Sequence, residues 1–197
     1  MSSFKDLTSD FPNRLIEIKD ICISQLRCKE AQKDNRDVSL LIALITSVLA
    51  IPMDKIKGTH EHSYSKIKDK VLKDSFLKTL DLTKISFGYV KKPKETPPED
   101  WENNDEKSTL TVESFLSIMR NAVAHGNLYF AEEENNINKI AFISENRTKN
   151  SSECPECHKK LPKEKDEDQP YKFLIFEITE IEIFLDAWVD FLNISKK

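Results

Sequence analysis

The chain has 197 residues, of which 32% are charged and 39% are hydrophobic, and its formal net charge is −4. This length suits a single domain, and the negative net charge argues against a protein wrapped in nucleic acid. No apolar run is long enough to cross a bilayer, and the first residues lack a basic-then-apolar signal pattern. We therefore expect a cytoplasmic protein with no membrane partner.

Three helices are predicted in the first half of the chain. Apolar residues at helical spacing predict the first over residues 11–31. The sequence VSLLIALITSVLAIP, residues 38–52, is apolar on nearly all sides and predicts a central second helix that ends at Pro52. An apolar stripe in residues 64–82 predicts a third helix with a lysine-rich outer face. Residues 54–94 carry eleven lysines and five acidic residues. This local excess of positive charge either keeps the outer face of the helix solvated or binds phosphate.

A change of composition follows the third helix. Three prolines and a dense charge run predict a mobile loop over residues 91–108. A fourth helix is then predicted from Thr111, a favourable N-cap, to Gly126, a favourable C-terminal stop. It carries apolar residues inward and should pack in the core.

The last part of the chain has a different pattern. The runs INKIAFIS (137–144) and YKFLIFEI (171–178) are short, rich in β-forming residues and partly alternating, and predict two strands of a hairpin. A polar insertion, residues 146–170, separates them. The apolar periodicity after Thr179 predicts a final helix. The predicted fold class is therefore mainly α: a single domain, residues 1–197, forming a helical bundle of about five helices with a small β-hairpin insertion before the last helix.

Three polar residues, Arg120, Asn121 and His125, interrupt the last turns of the fourth helix. Asn121 and His125 are four residues apart and share a helix face, where the amide can orient the imidazole. Arginine binds phosphate oxygens, histidine exchanges protons near neutral pH, and RNA supplies its own nucleophile, the 2′-OH. The three residues could therefore cleave RNA without a metal ion. In the structural alternative, His125 only caps the helix and Arg120 pairs with an acid.

The segment RNAVAHGN resembles the signature of the HEPN superfamily: an arginine, a polar residue that is often asparagine, and then a histidine. In that family the motif closes a late helix of an all-α bundle, and the helix ending AIPMDK is also similar to bacterial members. The resemblance implies a metal-independent endoribonuclease that leaves 2′,3′-cyclic phosphate and 5′-OH ends.

The resemblance further implies a homodimer whose two motifs face each other to form a composite site, with no cofactor for catalysis. Many members serve in toxin–antitoxin pairs or in phage defence, so the implied partners are RNA, a second copy, and an antitoxin or defence-system protein. By position, Arg120 would stabilise the transition state, His125 would be the general acid and base, and Asn121 would orient His125.

Two other classes of function stay open. One is a non-catalytic HEPN-like module that binds nucleotide or RNA, with Arg120 and His125 as phosphate ligands. The other is a structural partner, such as an antitoxin or scaffold, that uses its acidic loops and hairpin for protein contacts.

The polar insertion contains a Cys-Pro-Glu-Cys sequence, Cys154 to Cys157. This spacing lets two thiolates hold one zinc ion, but a structural zinc site needs four ligands and the chain has no second CxxC. The other ligands would have to come from His60, His62 or a second chain. An unliganded loop is the main alternative, and a redox role lacks the expected βαβ context. We exclude haem attachment because there is no export signal.

Overall fold

The structure is a computed structural model, which describes Glu17, Ile21, residues 42–46, Leu49, residues 64–94, Pro98, and residues 101–103, 109–133, 136–146 and 170–194. Most of the predicted first and second helices lies outside the described residues. Residues 42–46 are helical, and Leu44, Ile45 and Leu49 are buried. Within the described ranges, no helix is both long enough and apolar enough to cross a membrane.

An antiparallel sheet of five strands lies at the centre of the described part of the chain. The strands are β1 (Ile85–Val90), β2 (Glu102–Asn103), β3 (Leu128–Glu133), β4 (Asn136–Glu145) and β5 (Tyr171–Glu177). Their order across the sheet is β2-β1-β5-β4-β3. The strand that comes last in the sequence, β5, therefore lies in the middle and pairs with both β1 and β4.

Two helices, α1 (Val112–His125) and α2 (Ile178–Ile194), supply most of the apolar surface that covers one face of this sheet. Phe115 of α1 joins the layers, because its ring centroid lies 5.6 Å from Phe176 on β5 and 5.6 Å from Phe184 on α2. The sheet contributes two apolar rows to this core. They are Ile85–Phe176–Ile140–Phe130 and Phe87–Leu174–Phe142–Leu128.

A second, smaller apolar cluster occupies the opposite face of the sheet. Trp101 is buried there, with its ring centroid 5.1 Å from Phe173 and 5.8 Å from Tyr129. Trp101 and β2 belong to residues 91–108, for which the sequence predicts a mobile loop. Where the structure describes this stretch, the backbone pairs with β1, at Gly88↔Asn103; the predicted mobility of the loop stays a prediction.

The predicted fold class, a bundle of about five helices, is wrong. The predicted hairpin strands do pair as β4 and β5, from Lys139↔Glu177 to Glu145↔Tyr171, but they belong to a larger sheet. The runs ISFGYV and LYFAEE add β1 and β3 to it. Short β-rich runs of this kind are difficult to separate from the ends of neighbouring helices by periodicity alone.

The predicted third helix, residues 64–82, is also wrong, because only Tyr64 and Ser65 are α-helical in this range. Two short 3-10 helices, Leu72–Asp74 and Leu82–Lys84, are joined there by turns. The amide of Leu72 donates to the carbonyl of Leu110 at 3.2 Å, and the carbonyl of Lys70 accepts from the amide of Val112 at 2.9 Å. These bonds to a distant segment replace the i to i−4 bonds of an α-helix, while Leu72 remains buried as the apolar stripe requires.

Candidate functional site

The polar motif lies at the C-terminal end of α1, where Gly126 ends the helix. Gly126 has φ 66°, in the left-handed region. Its amide donates to the carbonyl of Val123 at 3.3 Å, and the amide of Asn127 donates to the carbonyl of Ala122 at 2.8 Å. This pair of bonds is a Schellman motif. His125 is therefore the last residue of the helix, and β3 begins three residues later.

The structure links Arg120 and Asn121 to each other and to the sheet. Arg120, which is half-buried, donates from Nη1 to Oδ1 of Asn121 at 3.1 Å. Asn121 in turn donates from Nδ2 to the hydroxyl of Ser144 on β4 at 3.2 Å. The carboxamide thus holds the guanidinium group on one side and β4 on the other.

His125 lies one turn beyond Asn121 and is exposed. Among the described residues, its imidazole has no hydrogen-bond partner. The side-chain amide of Asn121 is hydrogen-bonded to Arg120 and Ser144. The exposed imidazole of His125 can therefore contact a bound molecule.

A cleft of about 1050 Å³ opens between α1 and one end of the sheet. Asn121 and His125 line it from the helix side, together with Ser114 and Ser117. Its floor is a row of three side chains on adjacent strands, Tyr89, Lys172 and Ser144, which we call the polar row.

The polar row carries a cation beside an aromatic ring. The ammonium group of Lys172 lies 5.9 Å from the centroid of the Tyr89 ring, a distance at which the ring attracts the charge. Two acidic residues, Glu113 and Glu145, line the same cleft. Among the described lining residues Lys172 is the only lysine or arginine, so the balance of fixed charge in the cleft depends on it.

The segment that precedes β1 is hydrogen-bonded to the N-terminal end of α1. The carbonyls of Lys68 and Lys70 accept hydrogen bonds from the amides of Glu113 and Val112, each at 2.9 Å. Amides in the first turn of a helix have no partner within the helix. Here two of them bind protein carbonyls, so this end of α1 is satisfied by the protein itself.

Tyr64 lies near this end and stays neutral. Burial, followed by the nearby carboxylates of Glu113 and Asp69, raises the pKa of Tyr64 to about 12. An ionised phenolate there would be poorly solvated and repelled by both acids.

The structure assembles residues that the sequence analysis did not select. Tyr89, Ser144 and Lys172 come from three distant segments, and the register of the sheet brings them together. The run YKFLIFEI does contain one signal for Lys172. Lys172, Leu174 and Phe176 alternate along the strand and therefore lie on the same face, and the last two are buried. A lysine at a core-facing position is uncommon enough to mark a site.

Cys154 and Cys157, and the candidate ligands His60 and His62, lie outside the described residues. Within the described part, no group of three or more His, Cys, Asp or Glu side chains could hold a metal ion. The zinc site thus stays a prediction.

The family model described as HEPN pEK499 p136 matches residues 1–193. We found no similar protein among curated sequences and no similar solved structure. The matched range includes Arg120, Asn121 and His125 together with every strand of the sheet. The chain therefore belongs to the HEPN pEK499 p136 family and, through it, to the HEPN superfamily.

Proposed function

We propose that the protein is a metal-independent endoribonuclease that cleaves RNA to 2′,3′-cyclic phosphate and 5′-OH ends. The observation that carries this proposal is the position of His125, which is exposed at the cleft and lies one helical turn from the linked pair Arg120–Asn121. Membership of the HEPN superfamily supports it.

His125 would move the protons. As a general base it takes the proton from the 2′-OH, which attacks the neighbouring phosphorus and forms the cyclic phosphate as the bond to the 5′-oxygen breaks. That oxygen leaves with a proton from a general acid and becomes the 5′-OH end. Histidine suits both tasks because it exchanges protons near neutral pH.

Arg120 would stabilise the negative charge that develops on the phosphate oxygens. A guanidinium group is always charged, and its planar donors match the geometry of phosphate oxygens. Because Asn121 holds Arg120 and is itself bound to Ser144 on β4, the cation is positioned before substrate arrives. Electrostatic stabilisation by preorganised donors is usually the largest single contribution to catalysis.

A homodimer would complete the site. Attack in line with the leaving oxygen requires one proton to be removed and another to be supplied on opposite sides of the phosphorus. A single imidazole cannot reach both sides at once, whereas His125 from two copies can. This requirement agrees with a composite site formed by two facing motifs. We further propose that the protein acts as a toxin or phage-defence effector, controlled by an antitoxin or another defence-system protein.

The test is to incubate the purified protein with a labelled structured RNA in EDTA, beside His125→Ala and the control Ala124→Ser. Ala124 is exposed on the same turn of α1 and does not line the cleft. We expect the wild type and Ala124→Ser to cut and to leave cyclic-phosphate ends, and His125→Ala to be inactive. If all three proteins cut the RNA equally, His125 is not a catalytic residue.

A second outcome would favour a different function for the same cleft. If the wild-type dimer binds RNA and cuts none of it in any assembled state, the protein is a non-catalytic RNA-binding module. Arg120 and His125 would then serve as phosphate ligands.

A further inference from the structure

On the helix-facing side of the sheet, an apolar row of side chains is followed by a polar row. The row Phe87–Leu174–Phe142–Leu128 belongs to the apolar core, and the next row, toward the cleft, is Tyr89–Lys172–Ser144. Lys172 occupies the middle of this polar row because it lies on β5, the central strand. A lysine is thus placed, half-buried, under α1.

The strand pattern places Lys172 where an apolar residue would continue the core. Lys172 lies on the same face of β5 as Leu174 and Phe176, and both of these are fully buried. Partial burial of an ammonium group disfavours its charged form unless an opposite charge or a π-face compensates. The Tyr89 ring, 5.9 Å from the ammonium group, gives part of this compensation.

The polar row lies at the catalytic end of the cleft. Neighbouring strands are about 4.8 Å apart, and Lys172 is directly opposite Ser144, whose hydroxyl binds Asn121. His125 is one turn further, about 6 Å along α1. Glu113 is eight residues before Asn121, about 12 Å away along the helix. The cation is therefore near the motif, and this acid is distant from it.

We infer that Lys172 binds a phosphate group of RNA adjacent to the scissile one, on a subsite whose floor is the polar row. This inference rests on the proposed function and gives its substrate a path along the cleft: the scissile phosphate at His125, one helical turn from the Arg120–Asn121 pair, and the neighbouring phosphate at Lys172. The hydroxyl groups of Ser114 and Ser117, on the cleft wall, offer hydrogen bonds to the ribose and the base.

Charge makes this subsite sensitive to a single substitution. Glu113 and Glu145 line the same cleft, and of the described lining residues Lys172 is the only one with a permanent positive charge. With Lys172 the two acids outweigh it by one charge, and without it both acids are uncompensated, so that the lining repels phosphate more strongly. The subsite should therefore lose affinity for RNA when Lys172 becomes neutral, even though many other lysines lie on the surface.

The test compares Lys172→Gln with Lys139→Gln. Lys139 is an exposed lysine on β4 that does not line the cleft. The probe is a short single-stranded RNA, 2′-O-methylated so that it cannot be cut, with binding followed by fluorescence anisotropy over a range of salt concentrations. Lys172→Gln should lower affinity about tenfold, the order expected for one hydrogen bond to a charged group. The slope of log affinity against log salt should fall by about 0.7, the value for one phosphate contact on a single strand.

Lys139→Gln should leave both quantities unchanged, and Lys172→Arg should restore most of the affinity. In the wild-type protein, RNA should also protect Lys172 from acetylation, which is measured by mass spectrometry and requires no variant. An unchanged salt slope in a folded Lys172→Gln protein would overturn the inference. So would full acetylation of Lys172 in the RNA complex, or a wild-type protein that does not bind the RNA.

Failure of this inference can be distinguished from failure of the proposed function. If the wild type cuts RNA and Lys172→Gln cuts it with an unchanged KM, the catalytic proposal stands and the subsite is wrong. If the wild type cuts nothing but its RNA affinity depends on Lys172, the subsite stands and the protein is a binding module.

Discussion

Asn121 on α1 donates a hydrogen bond from Nδ2 to the hydroxyl oxygen of Ser144 on β4, across 3.2 Å. This bond joins the motif helix to the sheet at the cleft. Because the same carboxamide also accepts from Arg120, the sheet fixes the guanidinium group through one intermediate side chain.

We expect Asn121→Ala and Ser144→Ala each to lower the free energy of unfolding by about 1 kcal/mol, the usual net contribution of one hydrogen bond. The double variant should lose less than the sum, because either change alone already breaks the shared bond. Urea denaturation of the three variants measures this coupling. Ser86→Ala, on β1, serves as the control for loss of a serine hydroxyl. Fully additive losses would show that the two residues do not interact in solution.

Arg120→Lys keeps the charge but replaces the planar guanidinium group with a single ammonium. If the proposed mechanism is correct, the cleavage rate should fall roughly a hundredfold, the order of effect of losing one transition-state donor. KM should change much less, because the lost contact strengthens in the transition state. Single-turnover cleavage of the labelled RNA separates the two quantities. A variant that cuts at the wild-type rate would remove Arg120 from the catalytic site.

Gly126→Ala tests the end of α1. Gly126 has φ 66°, and a Cβ atom built there would have no other atom within 4 Å. Its cost is therefore one of backbone conformation, about 1 kcal/mol of unfolding free energy. Asparagine tolerates the left-handed region better, so Gly126→Asn should lose less. Thermal unfolding of both variants measures the difference, and equal stability of wild type and Gly126→Ala would contradict the strained-backbone explanation.

Glu180 on α2 is buried and forms a contact far from the cleft. Its Oε2 accepts from the amide of Asp81 at 2.9 Å, and its Oε1 lies 3.6 Å from the ammonium group of Lys84. Glu180→Ala leaves that amide without its acceptor and should destabilise the fold by about 2 kcal/mol. Glu180→Gln retains an acceptor and should lose less.

The control for Glu180 is Asp190→Ala, an exposed acid on the same helix, which should have little effect. Urea denaturation compares all three. If Glu180→Ala is as stable as Asp190→Ala, then Glu180 does not anchor the segment before β1.

The motif itself could be predicted from the sequence because it is local. Thr111 and Gly126 mark the ends of α1, and the structure places both at its caps. Arg120, Asn121 and His125 then follow from helical spacing. The strands β4 and β5 and the helix α2 were also predictable, since each has a clear periodicity of its own.

The sheet as a whole could not be predicted, because its register depends on distant pairs. Lys172 pairs with Tyr89 on one side and Ser144 on the other, and no local pattern encodes those partners. The helix prediction for residues 64–82 was wrong for a similar reason. Its apolar spacing is helical, but hydrogen bonds from Leu72 to Leu110 and from Val112 to Lys70 hold it in another conformation. Tertiary contacts of this kind override local preference.

The central position of β5 has a consequence for a chain that is still being synthesised. Before Tyr171–Glu177 has been made, the chain can form only two separate pairs, β1 with β2 and β3 with β4, each with an open edge. β5 joins these pairs, and it alone places Lys172 between Tyr89 and Ser144. A nascent chain on the ribosome thus has neither the cleft floor nor a continuous sheet. Long-range pairing of this kind forms late, so the cleft becomes available only after β5 has left the ribosome.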